Sequence, residues 1–567
     1  VTNEYSYDNF HEKGENIYRV ELTNYQVPKS EIKKTPFFDT RQQDGINRSP
    51  WLPLSLGPTL KDRLPEITRF TRGDQYKLIV RNEDQSFEQE VFYADASFFE
   101  MFSFPLIQGA PESVLSDPNN IVLTQETAKK YFGDENPVGK TLAVTIRNAE
   151  QIFTVSGIAK APPANSSFEF SFVLNIQKTP YYEFNIDRWN SFNTPLFVEL
   201  AEGTDINEFE KKLNAFAEEQ FGYKWPAARE RLNLPENATV MELTASPLSK
   251  IHLDASIEWP KVSNPLYSYI LGVIAILILL IACINYITLA LAKSSSRAKE
   301  VGVRKTSGAN RTQIAIQFWG ETQLLTLLAM VLGICLAELL LPFFNSIAGK
   351  SLAINYIQDI GFLSTLLSIT LITGLIAGTY PALILSGFHP VKALKGSNTF
   401  KFKPKLTKSL LVVQYCLSIF LIISALIMYK QLDYVSSKDL GYNEEQVLFI
   451  PTYTGWNEAG TNLMELYRTE LNGVSGIKSV SGMTPAFTNG TNRYGFNMDG
   501  IDEEMRSYIY FVDSEIISTL GFELIAGRNF SDDFPTDKKN SILVNEAFVN
   551  TLNWENPIGQ LVPWSDE

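Results

Sequence analysis

Four long apolar stretches, at about 266–292, 314–342, 362–386 and 407–429, constrain this chain more than any other feature. Each meets the roughly 20 residues that an α-helix needs to cross the hydrocarbon of a bilayer. A single water-soluble core needs no uncharged runs of that length, so the sequence predicts a multi-pass membrane protein. The mean hydropathy of −0.06 would suit a soluble protein. It averages apolar spans with a polar, aromatic-rich remainder, and 567 residues are too many for one domain.

Charge sets the orientation. The loop after the first stretch carries Lys293, Arg297, Lys299, Arg304, Lys305 and Arg311 against Glu300. The loop after the third carries Lys392, Lys395, Lys401, Lys403, Lys405 and Lys408 with no acid. Between them, 346–361 holds only Lys350 and Asp359. Basic loops stay in the cytoplasm, so loops one and three are expected inside and loop two outside. The whole chain is nevertheless at −14, so 1–265 and 431–567 are acidic domains expected outside, which argues against nucleic acid as a partner.

Residues 297–309 predict a short amphipathic helix lying on the inner membrane face. Glu300 and Arg304 form a favourable i,i+4 pair, with Arg297 three residues earlier on the same face. Ala298 and Val301 share a neighbouring face, and Gly302 lets another backbone come close. Gly308 is suited to cap the helix C-terminus and Asn310 to cap the next N-terminus. A solvated anchor is the plainer reading of these charges; a docking helix fits the pattern better.

That pattern, Arg297-x-x-Glu300-Val301-Gly302-Val303-Arg304-Lys305-x-x-Gly308-Ala309 after a span, resembles the coupling helix of FtsX/MacB-type ABC transporter permeases. A second stretch, Tyr380-Pro381-Ala382 through Ser386 to Pro390-Val391-Lys392-Ala393-Leu394-Lys395-Gly396, resembles the end of the third span of the same module. The resemblance, to the type VII ABC superfamily, implies an α-helical transmembrane bundle with large α+β extracytoplasmic domains of the MacB-like periplasmic core type. It divides the chain into a first outer domain (1–260) and an FtsX-like permease module (261–396). A basic loop with the fourth visible span (397–430) follows, and then a second, incomplete outer domain (431–567).

The residues themselves show that duplication. Asp95-Ala-Ser-Phe-Phe-Glu-Met-Phe-Ser-Phe-Pro-Leu-Ile-Gln-Gly109 returns as Asp513-Ser-Glu-Ile-Ile-Ser-Thr-Leu-Gly-Phe-Glu-Leu-Ile-Ala-Gly527. Asn120-Ile-Val-Leu123 and Glu135-Asn-Pro-Val-Gly139 return as Asn540-Ser-Ile-Leu543 and Glu555-Asn-Pro-Ile-Gly559. Each unit reads as a short helix, a strand ending at Gly, a second strand, a helix such as 125–132, and a turn into another strand. Further strands are expected at 152–158, 168–174 and 195–200, and a helix at 205–220. Val1 opens the sequence without an apolar run, and Glu567 falls partway through the second unit. The expectation is a fragment, lacking one span before residue 1 and the rest of domain two with three spans after 567.

Chemical motifs are sparse. Gly133-Asp-Glu-Asn-Pro-Val-Gly139-Lys140-Thr141 has five residues between its glycines where a phosphate-binding loop needs four, and reads as a turn. Cys283, Cys335 and Cys416 all fall inside spans and are expected to pack there; His11, His252 and His389 show no ligand spacing. Trp259, Tyr267 and Tyr269 are expected as an interfacial belt. Gly272, Gly333, Gly374 and Gly378 fit close helix packing. Asn285 is expected to hydrogen-bond across the bundle, and Glu321 and Glu338 to reach the interfaces.

The expected function is therefore that of a non-enzymatic permease subunit in the bacterial inner membrane. Arg297, Glu300, Val301, Gly302, Arg304, Lys305 and Gly308 would meet a cytoplasmic ABC ATPase dimer, which would hold ATP and Mg; no cofactor or metal is expected on this chain. Pro390, Val391, Lys392, Leu394 and Lys395 would make a second cytoplasmic contact. Membrane lipid, a second permease copy and a periplasmic adaptor or outer-membrane duct are the other expected partners. By mechanotransmission the outer domains would export or extract lipoproteins, peptides or small amphiphiles. The alternative is an FtsX-like regulator that activates cell-wall enzymes without transport.

Overall fold

The computed structural model describes residues 3–27, 45–82, 85–146, 149–257, 259–349, 352–353, 360–387, 404–452, 454, 457–487, 492–496, 498 and 505–563. The first outer domain contains β1 (Ile17–Tyr25), β2 (Ile46–Ser49), β3 (Ile67–Asn82), β4 (Gln85–Ala94), β5 (Leu106–Gln108) and β6 (Asn120–Thr124). They are followed by β7 (Thr141–Ile146), β8 (Ala149–Ala159), β9 (Phe172–Asn175), β10 (Leu196–Leu200) and β11 (Met241–Pro247). The strands run β11-β1-β10-β3-β4-β9-β6-β8-β5, with β2 on β1. Strand β7 pairs with both β8 and β3, so β3, β4, β9, β6, β8 and β7 close into a ring.

Alternating side chains fill that ring: Val80, Val91, Ile121, Leu123, Val144 and Phe153 are all fully buried. The other half of the sheet is covered by α1 (Leu56–Arg63) and α3 (Ile206–Phe221), with α2 (Gln125–Phe132) on the ring. Phe209, Leu213, Phe216 and Ala217 put the apolar stripe of α3 against β1, β10 and β11. A phenylalanine cluster including Phe92, Phe98, Phe102, Phe168 and Phe197 joins the two halves. Of the strand expected at 168–174, only the part from Phe172 joins the sheet, because Phe168 and Phe170 turn into this cluster.

Among the described residues, four helices are long and apolar enough to cross a membrane. They are α4 (Pro265–Thr306), α5 (Arg311–Ala348), α6 (Ile360–Ser386) and α7 (Pro404–Ser437). Helix α6 packs against both α5 and α4, and α7 packs on α4. The close approach of α6 to α5 depends on glycine: a Cβ at Gly374 would collide with Gln323 and one at Gly378 would meet Trp319 at 2.9 Å. Gly272 and Gly333 face open space and make no such contact among the described residues. Cys283 is buried between helices, but Cys335 and Cys416 lie on outer helix surfaces. Tyr267 and Tyr269 are exposed at the head of α4. Trp259 is not with them. Its indole donates to the Ser167 carbonyl at 2.8 Å and packs edge-on against Phe168 and Phe197, because the aromatic core lies within its reach.

The repeated sequence takes the same local geometry twice. Asp95 accepts the Arg72 amide at 2.7 Å and its guanidinium at 2.6 Å. Asp513 accepts the Gly482 amide at 2.6 Å and the Arg468 guanidinium at 2.6 Å. Arg468 belongs to α8 (Glu458–Leu471), and the amide begins the pair β12 (Met483–Thr484) and β15 (Phe511–Val512). Strands β13 (Asn492–Phe496) and β14 (Met505–Ile509) form a separate antiparallel pair. Helices α9 (Ile516–Leu520) and α10 (Glu546–Thr551) stand where Phe98–Met101 and α2 stand in the first copy. Gly139 and Gly559 take φ of +88° and +83° in the shared Asn-Pro-x-Gly turn. The second strand of the repeat, expected around 540–543, forms no ladder, and Ile542 is exposed. In the first copy that strand, β6, is held between β8 and β9.

Candidate functional site

The cytoplasmic end of the bundle is built around a stiff helical hairpin. Helix α4 does not stop at the inner face: residues 297–306 continue it without a break, so the expected separate amphipathic helix is instead the end of a 42-residue rod. Nothing in 290–306 breaks the i→i−4 ladder; the first residue that does is Gly308, at φ +97°. There the Ala309 amide bonds the Arg304 carbonyl at 3.0 Å and the Gly308 amide bonds Lys305 at 3.2 Å, a Schellman stop. Two residues on, Asn310 and Gln313 form a reciprocal capping box that starts α5. Both orphan sets of backbone groups are thereby satisfied within a four-residue turn.

Beneath the hairpin, Val301, Ile314, Phe318, Ala382 and Leu385 form a small core shared by α4, α5 and α6. Val301 is 1% exposed and Gly302 is buried, so these two hold the hairpin together and are not presented to a partner. Lys305 donates to the Ser386 carbonyl at 2.7 Å, and Arg311 lies against the same helix end. Cations there oppose the negative end of the α6 dipole. Arg304 pairs with Glu300 at 2.7 Å as expected, and also reaches Gln317 on α5. Arg297 turns away from Glu300 and pairs with Glu321 at 2.5 Å. Glu321, whose other oxygen accepts from Gln317 at 3.2 Å, therefore bridges helices and does not snorkel.

Within 300–308 the outward residues are Glu300, Val303 and the turn 306–308, and Arg297 and 310–313 are exposed on either side of them. Val303 is 53% exposed, an apolar side chain at the tip of a charged hairpin. Sequence reasoning chose Val301 and passed over Val303. A helix carrying both can hide only one of them, and the choice is made by α6, which is remote in sequence. Asn285 also differs from expectation: it sits on an outer face of α4, and among the described residues its side chain makes no hydrogen bond. Pro390, Val391, Lys392, Leu394 and Lys395 lie outside the described residues.

The MacB-like periplasmic core domain family matches residues 2–216, and the FtsX-like permease C-terminal family matches residues 272–390, which include the hairpin. The chain belongs to the MacB/FtsX-like ABC transporter permeases. It is a multi-pass membrane protein with an extracytoplasmic α/β domain. The macrolide export ATP-binding/permease protein MacB of Bdellovibrio bacteriovorus is 22% identical over 274 residues, covering 48% of this chain and 38% of that protein. The pyoverdine export ATP-binding/permease protein PvdT of Pseudomonas entomophila is 26% identical over 340 residues, covering 58% and 46%. The chain thus matches less than half the length of either relative. A domain of a permease protein from Porphyromonas gingivalis aligns at 18% identity with a TM-score of 0.32, covering 46% of this chain and 98% of that one.

Proposed function

We propose that this permease is the subunit through which a separate cytoplasmic ATPase dimer drives the outer domains. The cargo would be lipoproteins, peptides or small amphiphiles exported from, or extracted at, the bacterial inner membrane. The observation that carries this reading is the continuity of α4. At 1.5 Å per residue its 42 residues form a rod of about 63 Å, against roughly 30 Å of hydrocarbon. Its inner end is the capped hairpin with Val303 and Glu300 outward. Its outer end follows a segment fastened to the first domain: Arg48 to Asp254 at 2.8 Å, Trp259 to Ser167, and Lys261 to Glu169 at 3.4 Å. A displacement at the tip would be delivered to the sheet with little loss in between.

In this reading residues 1–260 and 431–567 are two outer domains, and ATP and Mg reside on the ATPase. A second permease copy and an adaptor or duct complete the assembly. The test is to purify the full chain from its native membranes and assay ATP hydrolysis in the eluate. Val303→Asp should reduce the co-purifying activity at least about tenfold, since a desolvated carboxylate in an apolar contact costs more than about 1.4 kcal/mol. The thermal unfolding midpoint should stay unchanged, because Val303 touches no core. Wild-type chain that brings down no ATPase, or a variant that brings down as much as wild type, would defeat the proposal.

A further inference from the structure

A strap of residues 4–8 crosses the neck between the first outer domain and α4, and it is tied at both ends. Asp8 accepts the Ser167 amide at 2.8 Å and its own amide donates to the Asn165 carbonyl at 2.9 Å, which fastens the strap to the domain. Tyr5 is hydrogen-bonded to Tyr269 at the head of α4. Against the strap lies His252, which follows the helical turn Leu248–Ile251 and is 3% exposed. Its ring stacks on Tyr7, with centroids 3.3 Å apart and planes within 5°. Its Nε2 lies 3.0 Å from Glu4 Oε2 and its Nδ1 faces the Lys261 carbonyl oxygen. The His252 carbonyl accepts the Ser263 amide at 2.7 Å, so the ring is held by the segment that enters α4.

Both ring nitrogens therefore face oxygen acceptors. A neutral imidazole has one N–H, so against an ionised carboxylate only the imidazolium can donate to both. A cation also gains from lying on the face of Tyr7. We propose that His252 is a proton-held latch: protonated, it binds Glu4 and clamps the strap to the segment entering α4, and on losing a proton it keeps Lys261 and lets Glu4 go. The closed latch holds one more proton than the open one, so it closes at low external pH and opens as pH rises. Among the described residues the titratable groups around the ring are Glu4, Tyr7 and Asp8 on the strap, Lys261 and Asp254 on its own segment, and Glu169. Lys261 is paired with Glu169 at 3.4 Å and Asp254 with Arg48 at 2.8 Å. Asp8, which burial raises to about 6, is the one rival for the same pH range. The latch goes beyond the proposed function and needs no ATPase.

The test uses the full chain in proteoliposomes, with Cys283, Cys335 and Cys416 replaced by alanine and a nitroxide attached at Asn3→Cys. Its electron paramagnetic resonance line shape reads how firmly the strap is held. Between about pH 5.5 and about pH 8.5, either side of the ordinary imidazole range, the ratio of mobile to immobile label should rise at least about tenfold, as one hydrogen bond to a charged group is lost. Glu4→Gln should keep the label immobile at both pH values. The new carboxamide can donate to Nε2 of a neutral ring whose Nδ1–H stays on Lys261. His252→Phe keeps the stack on Tyr7 without either donor, and should leave the label mobile at both. No pH response in the parent would overturn the proposal. So would a response that survives in Glu4→Gln, which would move the proton to Asp8. If His252→Phe does not fold, the Glu4→Gln comparison decides alone.

Discussion

Asp74 is buried among Tyr76, Tyr93 and Tyr181, accepting the Tyr181 hydroxyl at 2.7 Å and the Gln75 amide at 2.9 Å, with no cation opposite it among the described residues. Burial pushes its carboxyl up to about 6, and does the same to Asp8, which accepts the Ser167 amide at 2.8 Å. The opposite case is His11, whose Nδ1 accepts the Ser103 amide at 3.0 Å and which burial holds down at about 3. An acid raised in the fold binds protons more tightly folded than unfolded, so its stabilisation is full below about pH 4 and is lost as pH rises through about 6. A depressed histidine works in reverse: its contribution is complete above about pH 6.5 and is lost as pH falls toward 3. Asp74→Asn should therefore stabilise the outer domain at pH 7.5 by about 2 kcal/mol, with the gain vanishing near pH 4, read from denaturant unfolding followed by tryptophan fluorescence. A gain that does not change with pH would show that charge burial is not the cause. Asp95 is different in kind, since Arg72 opposes it. Asp95→Ala should cost about 3–5 kcal/mol because it leaves a buried guanidinium without its counter-charge.

At the level of elements, glycine separates contact from exposure. Gly378→Leu should collapse the α5–α6 packing, because the added side chain would enter Trp319 and Thr322, whereas Gly333→Leu should be nearly neutral. Detergent thermal shift on both variants measures the contrast, and equal losses would contradict the packing described. Gly308→Val should fray the hairpin, since a β-branched residue is strained at φ +97°. The four spans, both caps of the hairpin, the Glu300–Arg304 pair and strands β5 to β10 of the first outer domain were legible in the sequence, because each depends on residues a few positions apart. Strands β1 to β4 and β11 were not read, and neither were the contacts that distant elements decide. Which of Val301 and Val303 faces inward depends on α6, the partner of Arg297 depends on α5, and the place of Trp259 depends on Phe168 and Phe197. Residues 540–543 repeat the sequence of the start of β6 yet form no ladder, because a strand exists only where a neighbour supplies its hydrogen bonds.

For the whole molecule, the proposed coupling requires the segment between β11 and α4 to make the rod and the sheet move as one. Inserting Gly-Gly-Ser after Ser263 should leave ATPase co-purification intact while abolishing nucleotide-dependent distance changes between spin labels on α3 and on the exposed loop side of the bundle. Unchanged distance shifts in the insertion variant would argue that force reaches the domain by another route. The topology of the first outer domain has a separate consequence. Its opening strand β1 lies between β10 and β11, with Tyr18 opposite Pro247, so the earliest strand bonds to the last one made before the first described span. During secretion only the Leu22–Tyr25 end of β1 can pair early, with β2, and the rest must wait for β10 and β11 until nearly the whole domain has crossed. Pairing over such sequence distances is slow. Maturation of the domain is thus bound in time to membrane insertion of the helix that follows it, and a chaperone on the far side would have the longest task at β1.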